Sequence, residues 1–174
     1  MDKNHFENGI VVKNAGLVML NNYFEILFER LGLLREKEFL NLKTQDAAVH
    51  YLQFLATGIS HTEEVYLPLN KVLCGFPVQH PITEDIEITE EQIQLIEGLI
   101  KAAIDHWAVI GDTSVDGFRG NWLVRDGILT GHADKWELIV EKRAYDILLN
   151  QAPFSFSIIK YPWMAKPLHV NWNY

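Results

Sequence analysis

Apolar residues recur every three or four positions through most of the first 127 residues, which is the spacing of amphipathic helices. The clearest stripe is formed by Ile93, Ile96, Ile100, Ile104 and Trp107. Thr89 stands just before it and is a favourable N-cap residue. The same spacing, with Gly or Pro at the boundaries, predicts further helices at about residues 17–31, 46–57, 62–73 and 114–123.

Polar residues at the starts of these segments predict how the helices are capped. Asp46 is the predicted cap of the second helix, and Asp112 or Ser114 caps the short one near residue 118. Pro68 lies inside the third segment, where an interior proline removes an N–H donor, so we expect a kink or a late start there. Residues 78–88 contain a proline and several acids, which indicates an exposed connector.

The apolar period changes to alternation after Gly127. Strands are predicted at residues 128–132, 136–142, 154–160 and 168–172, with a short helical turn at 145–150. Ile10 to Val12 are β-branched but alternate poorly. Helices first and strands last is the α+β order. We predict one domain, residues 1–174, with about five helices in residues 9–127 and a small antiparallel sheet in residues 128–174.

Composition excludes several classes of protein. The chain has 174 residues and is 48% hydrophobic, which is enough to form a buried core. Its net charge of -8 disfavours a surface that binds nucleic acid. No apolar run is long enough to span a bilayer, and the first nine residues lack a signal-peptide pattern, so we expect a cytoplasmic protein without membrane insertion. The single cysteine, Cys74, excludes an intramolecular disulfide and is expected to be a small buried hydrophobe.

Catalytic and cofactor patterns are weak. His106 lies near Asp112 and Ser114, so a small hydrolase is conceivable, but a G-x-S-x-G turn is missing and both neighbours are more simply helix caps. The seven histidines lack metal-binding spacing, and the glycines form no phosphate-binding loop. We therefore expect no catalytic residues, no metal and no cofactor. Arg119 and Arg125 could pair with acids or with a partner's carboxylates, but a solvated helix face is the favoured interpretation.

The last 22 residues, 153–174, are unusual in this acidic chain. They hold 6 of its 20 aromatic residues, three prolines and no acidic residue, so we expect this C-terminal ribbon to be docked. It either caps the domain's own core or binds a partner, because aromatic residues and Met are enriched at both kinds of site. The candidate partner-docking residues are Tyr161, Trp163, Met164 and Trp172, with Trp163 and Met164 at an expected exposed bend between two prolines.

Several of these segments, taken in order, resemble the conserved region of the contractile injection system tape measure protein family, found in bacterial phage-tail-like particles. The longest matching pieces are NAGLV (14–18), LFERLGLL (27–34), AVHYLQFLATG (48–58), LNKVLCG (69–75) and IIKYPWM (158–164). Shorter pieces fall at residues 106–107, 113–114, 117–119, 136, 140–141, 145–149 and 167–168. So many pieces in one order are more specific than any single motif.

The resemblance implies a structural, non-enzymatic role in setting the length of the inner tube and sheath, with tube, cap or baseplate proteins as partners. It supplies no catalytic residues. A fully helical rod of this length would reach about 260 Å, and the caps and the Gly and Pro breaks forbid such a rod. The expected role is therefore a docking or terminating module of a tape measure, or a short paralogue that assists assembly. A peptide-binding module that pairs a strand with an exposed edge of the C-terminal sheet is the alternative.

Overall fold

Helices occupy most of the described chain up to residue 123, and most strands of the main sheet follow that residue, which confirms the α+β fold class. The computed structural model describes residues 9–83 and 85–174. The predicted absence of a signal peptide rests on residues that lie almost entirely outside this range. Within the described part of the chain, no helix combines the length and the apolar character needed to cross a membrane.

Each α-helix overlaps a predicted segment, but α1 and α3 begin six or seven residues later than predicted, α2 begins four residues earlier, and α5 ends five residues earlier. They are α1 (Phe24–Arg30), α2 (Leu42–Thr57), α3 (Pro68–Leu73), α4 (Glu90–His106) and α5 (Val115–Phe118). The 3-10 helices are Ala15–Tyr23, Glu64–Tyr66, Ala108–Ile110 and Ala144–Gln151, and a π-helical turn spans Arg119–Leu123. The predicted first helix is therefore a 3-10 segment that continues into α1.

Helix caps confirm some predictions and correct one. Thr89 caps α4 in a reciprocal capping box with Gln92, and Pro68 is the first residue of α3, so the late start is confirmed. The predicted cap Asp46 is wrong, because Asn41 caps α2. The Asp46 carboxylate instead accepts hydrogen bonds from the main-chain N–H and hydroxyl of Thr83, at 3.1 and 2.5 Å.

The strands of the main sheet are β1 (Ile10–Val12), β4 (Gly127–Gly131), β5 (Trp136–Val140), β6 (Ile158–Ile159) and β7 (Leu168–Asn171). Among the described residues, these five strands lie in the order β1-β4-β5-β7-β6. A separate hairpin pairs β2 (Leu34–Arg35) with β3 (Glu38–Phe39).

The predicted small C-terminal antiparallel sheet is present and mostly antiparallel, but the structure corrects it in two respects. Strand β7 pairs with β5 in parallel. Strand β1, from the N-terminal part of the chain, pairs with β4 and forms one edge of the sheet, with β6 at the other. The parallel pair arises because the chain crosses back through the segment Ala144–Gln151 and β6 before it enters β7. The predicted strand at 154–160 shrinks to two residues, since the carbonyl of Ser155 accepts from the Asn21 side chain rather than from a neighbouring strand.

The core lies between the inner face of the sheet and the helices. Leu129, Leu138 and Leu168 point inward from three strands and are fully buried. The expected exposed connector at 78–88 is partly wrong: Ile82 is 9% exposed, and its N–H donates to the Glu64 carboxylate at 2.9 Å. The apolar residues of this connector therefore contribute to the core.

Candidate functional site

The C-terminal ribbon packs on the chain's own core, so the prediction that it is docked is confirmed. Tyr161, Met164 and Trp172 are 8%, 4% and 5% exposed, and Trp163 is partly buried. The expected exposed bend is wrong for Met164, because residues 161–164 form a tight turn in which the Met164 N–H donates to the Tyr161 carbonyl at 3.0 Å. A partner-docking role for these four residues stays a prediction.

Three of the four predicted residues form one cluster and the fourth lies elsewhere. The Trp163 ring stacks on Tyr161, with ring centroids 4.7 Å apart, and its Nε1–H donates to the Leu73 carbonyl at the end of α3 at 2.8 Å. The Tyr161 hydroxyl donates to the Asn21 carbonyl at 2.5 Å, and burial raises the pKa of Tyr161. Trp172 instead contacts Arg125. The cluster joins the ribbon to the helical part.

A fully buried ion pair lies beneath the ribbon's last strand. Arg125 and Asp146 are both 0% exposed, and Arg125 Nη1 donates to Asp146 Oδ2 at 2.6 Å. The guanidinium also donates to the carbonyls of Asn121 and Glu141. Three aromatic rings surround it at 5.0–5.5 Å from their centroids: Trp122, Tyr145 and Trp172. The pair therefore connects four parts of the chain: the π-helical turn, the end of β5, the 3-10 segment Ala144–Gln151 and the C-terminal residues.

Arg119 is buried as well, so the solvated helix face expected for the two arginines is wrong. Arg119 is 5% exposed, and its guanidinium donates to the carbonyls of Phe54 and Leu55, both at 3.1 Å. These carbonyls lie in the last turn of α2, and Arg119 bonds to the Phe54 carbonyl in addition to the Gly58 N–H, which donates to it at 2.7 Å. The physical reason for burial is thus a pair of main-chain acceptors, which sequence spacing does not reveal.

The Asp146 carboxylate makes stability dependent on pH. Burial by itself raises the pKa of Asp146, but hydrogen bonds from Arg125, the Arg143 N–H and the Trp172 Nε1–H outweigh it and hold the pKa below its ordinary value of 3.8. A lowered native pKa contributes stability above the ordinary value, and this is lost as the pH falls through the native pKa.

We expect the free energy of unfolding to fall as the pH is lowered below about 4, because the Asp146 carboxyl of the unfolded chain then binds a proton more readily than the native carboxylate with its lowered pKa. Urea unfolding at several pH values, followed by tryptophan fluorescence, measures this slope. The slope should be smaller in Asp146→Asn than in the wild type, whereas Asp116→Asn, at a carboxylate that is 90% exposed, should keep it. Equal slopes in Asp146→Asn and the wild type would contradict the assignment.

The predicted hydrolase residues do not converge. His106 Nδ1 lies 3.4 Å from the Tyr23 hydroxyl, while the Ser114 hydroxyl accepts from the Gly117 N–H at 2.9 Å as the cap of α5. In the described part of the chain, no hydrogen bond joins His106 to Asp112 or Ser114. The helix-cap interpretation of Ser114 is confirmed, and the geometry lends the triad no support.

The remaining predictions from the sequence concern Cys74 and the candidate metal ligands. Cys74 is fully buried at the end of α3, as expected for a small hydrophobe, and burial raises the pKa of its thiol well above the ordinary value. Within residues 9–83 and 85–174, no group of three or more His, Cys, Asp or Glu side chains is arranged to hold a metal ion.

The outer face of the main sheet carries exposed apolar side chains that the sequence analysis missed. Val11, Ile128 and Ile139 stand side by side in one register row across β1, β4 and β5, with exposures of 61%, 45% and 45%. Ile158 of β6 is 62% exposed and pairs with His169 of β7. Isolated exposed apolar residues are common, but a row across three adjacent strands forms a continuous apolar surface. We call Val11, Ile128, Ile139 and Ile158 the outer-face residues.

A sequence signal for this surface did exist. Ile128-Leu129 and Leu138-Ile139 place apolar residues on both faces of β4 and β5, a pattern typical of strands that are covered on both sides. In the structure, Leu129 and Leu138 are fully buried while their neighbours Ile128 and Ile139 are exposed. The paired isoleucines therefore mark an apolar face that is exposed to solvent.

Comparison with known proteins gave one positive result. A family model described as contractile injection system tape measure protein matches residues 2–172. Neither the curated proteins nor the solved structures contain a match to this chain.

Proposed function

Because the chain belongs to the contractile injection system tape measure protein family, we propose that it is a structural assembly component that docks on other proteins of the particle. The family match over residues 2–172 is the single observation that carries this proposal. The proposed partners are tube, cap or baseplate proteins. Docking begins in the cytoplasm during assembly, and the protein is then incorporated into the particle. No catalytic step is part of this role.

A docking or terminating role suits the described residues better than the role of a ruler. The longest helix, α4, has 17 residues and spans about 26 Å at 1.5 Å per residue. A length-measuring rod needs one continuous extended element, and the elements here fold back on one another. We therefore propose that the described residues act at one end of a length-determining assembly, or in a short paralogue that assists assembly.

The outer-face residues are the proposed contact surface. They present branched aliphatic side chains on a sheet, which is a rigid platform, and burial of such side chains supplies most of the free energy of association. Tyr161, Met164 and Trp172 are assigned an indirect part in docking, since their burial holds β6 and β7 in the sheet. Trp163, which is only partly buried, remains the proposed direct contact among the four.

The peptide-binding alternative receives less support. One edge strand, β1, packs against α3, and the other, β6, has only two residues. An added peptide strand needs a longer row of open main-chain groups than either edge offers.

Replacing both Ile128 and Ile139 by Asp is expected to reduce co-purification with tube or baseplate proteins at least about tenfold, because two desolvated charges oppose the contact. The experiment isolates tagged protein from cells that make the native particle and quantifies the particle proteins. Ile147→Asp is the matched control: this isoleucine is 62% exposed but lies on the segment Ala144–Gln151, away from the outer-face row.

Two results would count against the proposal at different levels. Equal co-purification of the double variant and the wild type would remove the outer-face residues from the contact. Absence of wild-type co-purification, together with normal particle lengths in a deletion strain, would remove the docking role itself.

A further inference from the structure

The apolar row on the outer face is symmetric about its central strand. Strand β4 lies between β1 and β5, and Ile128 of β4 stands between Val11 and Ile139 at the same level of the sheet. A twofold axis that runs along β4, above the sheet, would bring this row against the same row of a second copy, with Ile128 on the axis. The strands of the two sheets would then be nearly aligned, which is a common mode of sheet-on-sheet packing.

The next level of the sheet is complementary in charge under the same axis. Lys13 follows Val11 by two residues, and its Nζ lies 3.2 Å from Oδ1 of Asp126. On the other side of Asp126 lies Glu141, whose main-chain N–H donates to the Asp126 carbonyl at 2.8 Å and whose Oε2 is 3.8 Å from Nη2 of Arg143. Residues two apart on a strand face the same side, so Lys13, Asp126 and Glu141 share the outer face with the apolar row. The axis along β4 therefore places Lys13 of each copy opposite Glu141 of the other.

The two other carboxylates on these strands do not prevent the contact. Asp126 faces its counterpart across the axis, but the Lys13 ammonium of its own copy lies beside it. Glu137 of β5 pairs with Thr130, and a Cβ on Gly9 would lie 3.2 Å from the Thr130 hydroxyl oxygen. Glu137 is thus at the level of Gly9 and faces the uncharged Gly9 main chain of the second copy. No carboxylate meets another without a cation nearby.

The contact is small. Three strands about 4.8 Å apart and about five residues long form a footprint of roughly 250 Å² per copy. A stable dimer buries about 800 Å² per partner, and the net charge of -8 on each copy opposes association further. The association is therefore weak and reversible, so it yields to a partner that offers a larger surface.

We propose that Val11, Ile128 and Ile139 bind the same three residues of a second copy of this chain, with the twofold axis along β4. Ile158 lies outside this contact, because β6 is the third strand from β4 and, among the described residues, the facing side of the second copy ends at β1. Self-association does not depend on docking on a particle protein, and where both contacts form they compete for one face. The first is measured on the isolated chain and the second in cells, so either proposal can fail alone.

Single cysteine variants test the position of the axis. Facing sheets are about 10 Å apart, so a short bismaleimide is used as the cross-linker in place of a direct disulfide. Cys74 is fully buried, and wild-type protein should not cross-link. We expect Ile128→Cys to cross-link at least about tenfold faster than Ile158→Cys, which is exposed on the same face. A mixture of Val11→Cys and Ile139→Cys should cross-link faster than either variant alone.

Charge reversal in the Ile128→Cys background tests the ionic contact. Lys13→Glu and Glu141→Lys each place like charges opposite one another in the dimer, so each variant alone should cross-link at least about threefold more slowly. An equal mixture of the two restores opposite charges across the contact and should recover the rate. A change confined to the fold of one chain would not be repaired by mixing.

Two outcomes overturn the proposal. Equal rates for Ile128→Cys and Ile158→Cys would mean that the chains meet by random collision and that no second copy binds the row. A mixture of the charge variants that stays as slow as each one alone would place Lys13 and Glu141 outside the contact and remove the axis along β4.

Discussion

Replacement of Arg125 by alanine is expected to lower the free energy of unfolding by about 3–5 kcal/mol, a large share of the stability of an ordinary domain. The substitution leaves the Asp146 carboxylate fully buried without its cation, at a site where the two are 2.6 Å apart. It also leaves the Asn121 and Glu141 carbonyls without the donors that Arg125 supplies. Both losses act at the contact between the helical part and the C-terminal residues.

Urea unfolding monitored by tryptophan fluorescence measures this effect, since Trp122 and Trp172 flank the guanidinium. Lys13→Ala is the control, because Lys13 and Asp126 form an ion pair of similar type at 3.2 Å whose side chains are 54% and 59% exposed. An exposed pair contributes at most about 1 kcal/mol. Similar losses in the two variants would contradict the role given to burial.

A double variant separates the charge from the volume of the pair. Arg125→Met with Asp146→Leu removes both charges and fills the space with apolar atoms, so it is expected to be more stable than Arg125→Ala. If Arg125→Ala does not fold, recovery of folded protein by the double variant provides the same comparison. If the double variant is no more stable than Arg125→Ala, the stability lost in Arg125→Ala comes from packing and from the hydrogen bonds to the carbonyls, not from the unpaired charge of Asp146.

Replacement of Gly16 by alanine is expected to destabilise the fold by about 3 kcal/mol or more, through overpacking that the backbone cannot relieve. A Cβ at Gly16 would lie 1.7 Å from the Trp122 carbonyl oxygen. The neighbouring Ala15 N–H donates to the Arg125 carbonyl at 2.9 Å, which fixes the two chain segments at this separation. The space at Gly16 is therefore set by two main chains and not by a movable side chain.

Gly98→Ala is the matched control for this substitution. Gly98 is exposed in the interior of α4, and a Cβ there would have no neighbour within 4 Å. Alanine is the better helix former, so this variant should gain up to about 1 kcal/mol. Thermal unfolding of both variants checks the pair of expectations. A Gly16→Ala protein as stable as the wild type would mean that the close approach of residues 16 and 122 is wrong.

Local features of the fold were predictable from the sequence, and α4 is the best example. Its apolar stripe, the Thr89 cap and the capping-box partner Gln92 all act within a few residues of one another. The change from a helical to an alternating period after Gly127 likewise locates β4 and β5. Period, caps and turns are local properties, so one sequence suffices to predict them.

The candidate surfaces were less predictable, because they depend on which segments meet. The outer-face row joins β1 to β4 and β5, more than a hundred residues later in the chain. The buried hydrogen bonds from Asn14 to Gln53 and Asn70 likewise join distant positions, and no sequence motif predicts them. Sequence reasoning selected the aromatic residues of the ribbon instead, and most of them proved to be core residues.

The helix-then-strand order, the docked C-terminal ribbon and the family resemblance could be predicted from the amino-acid sequence, because they follow from local period, composition and ordered motifs. The folded chain was needed to show that β7 runs parallel to β5, that β1 completes the sheet and that Arg119 and Arg125 are buried. These three features share one cause. A strand's neighbour and a charge's partner are supplied by distant main-chain and side-chain groups, and these are brought together only when the chain folds.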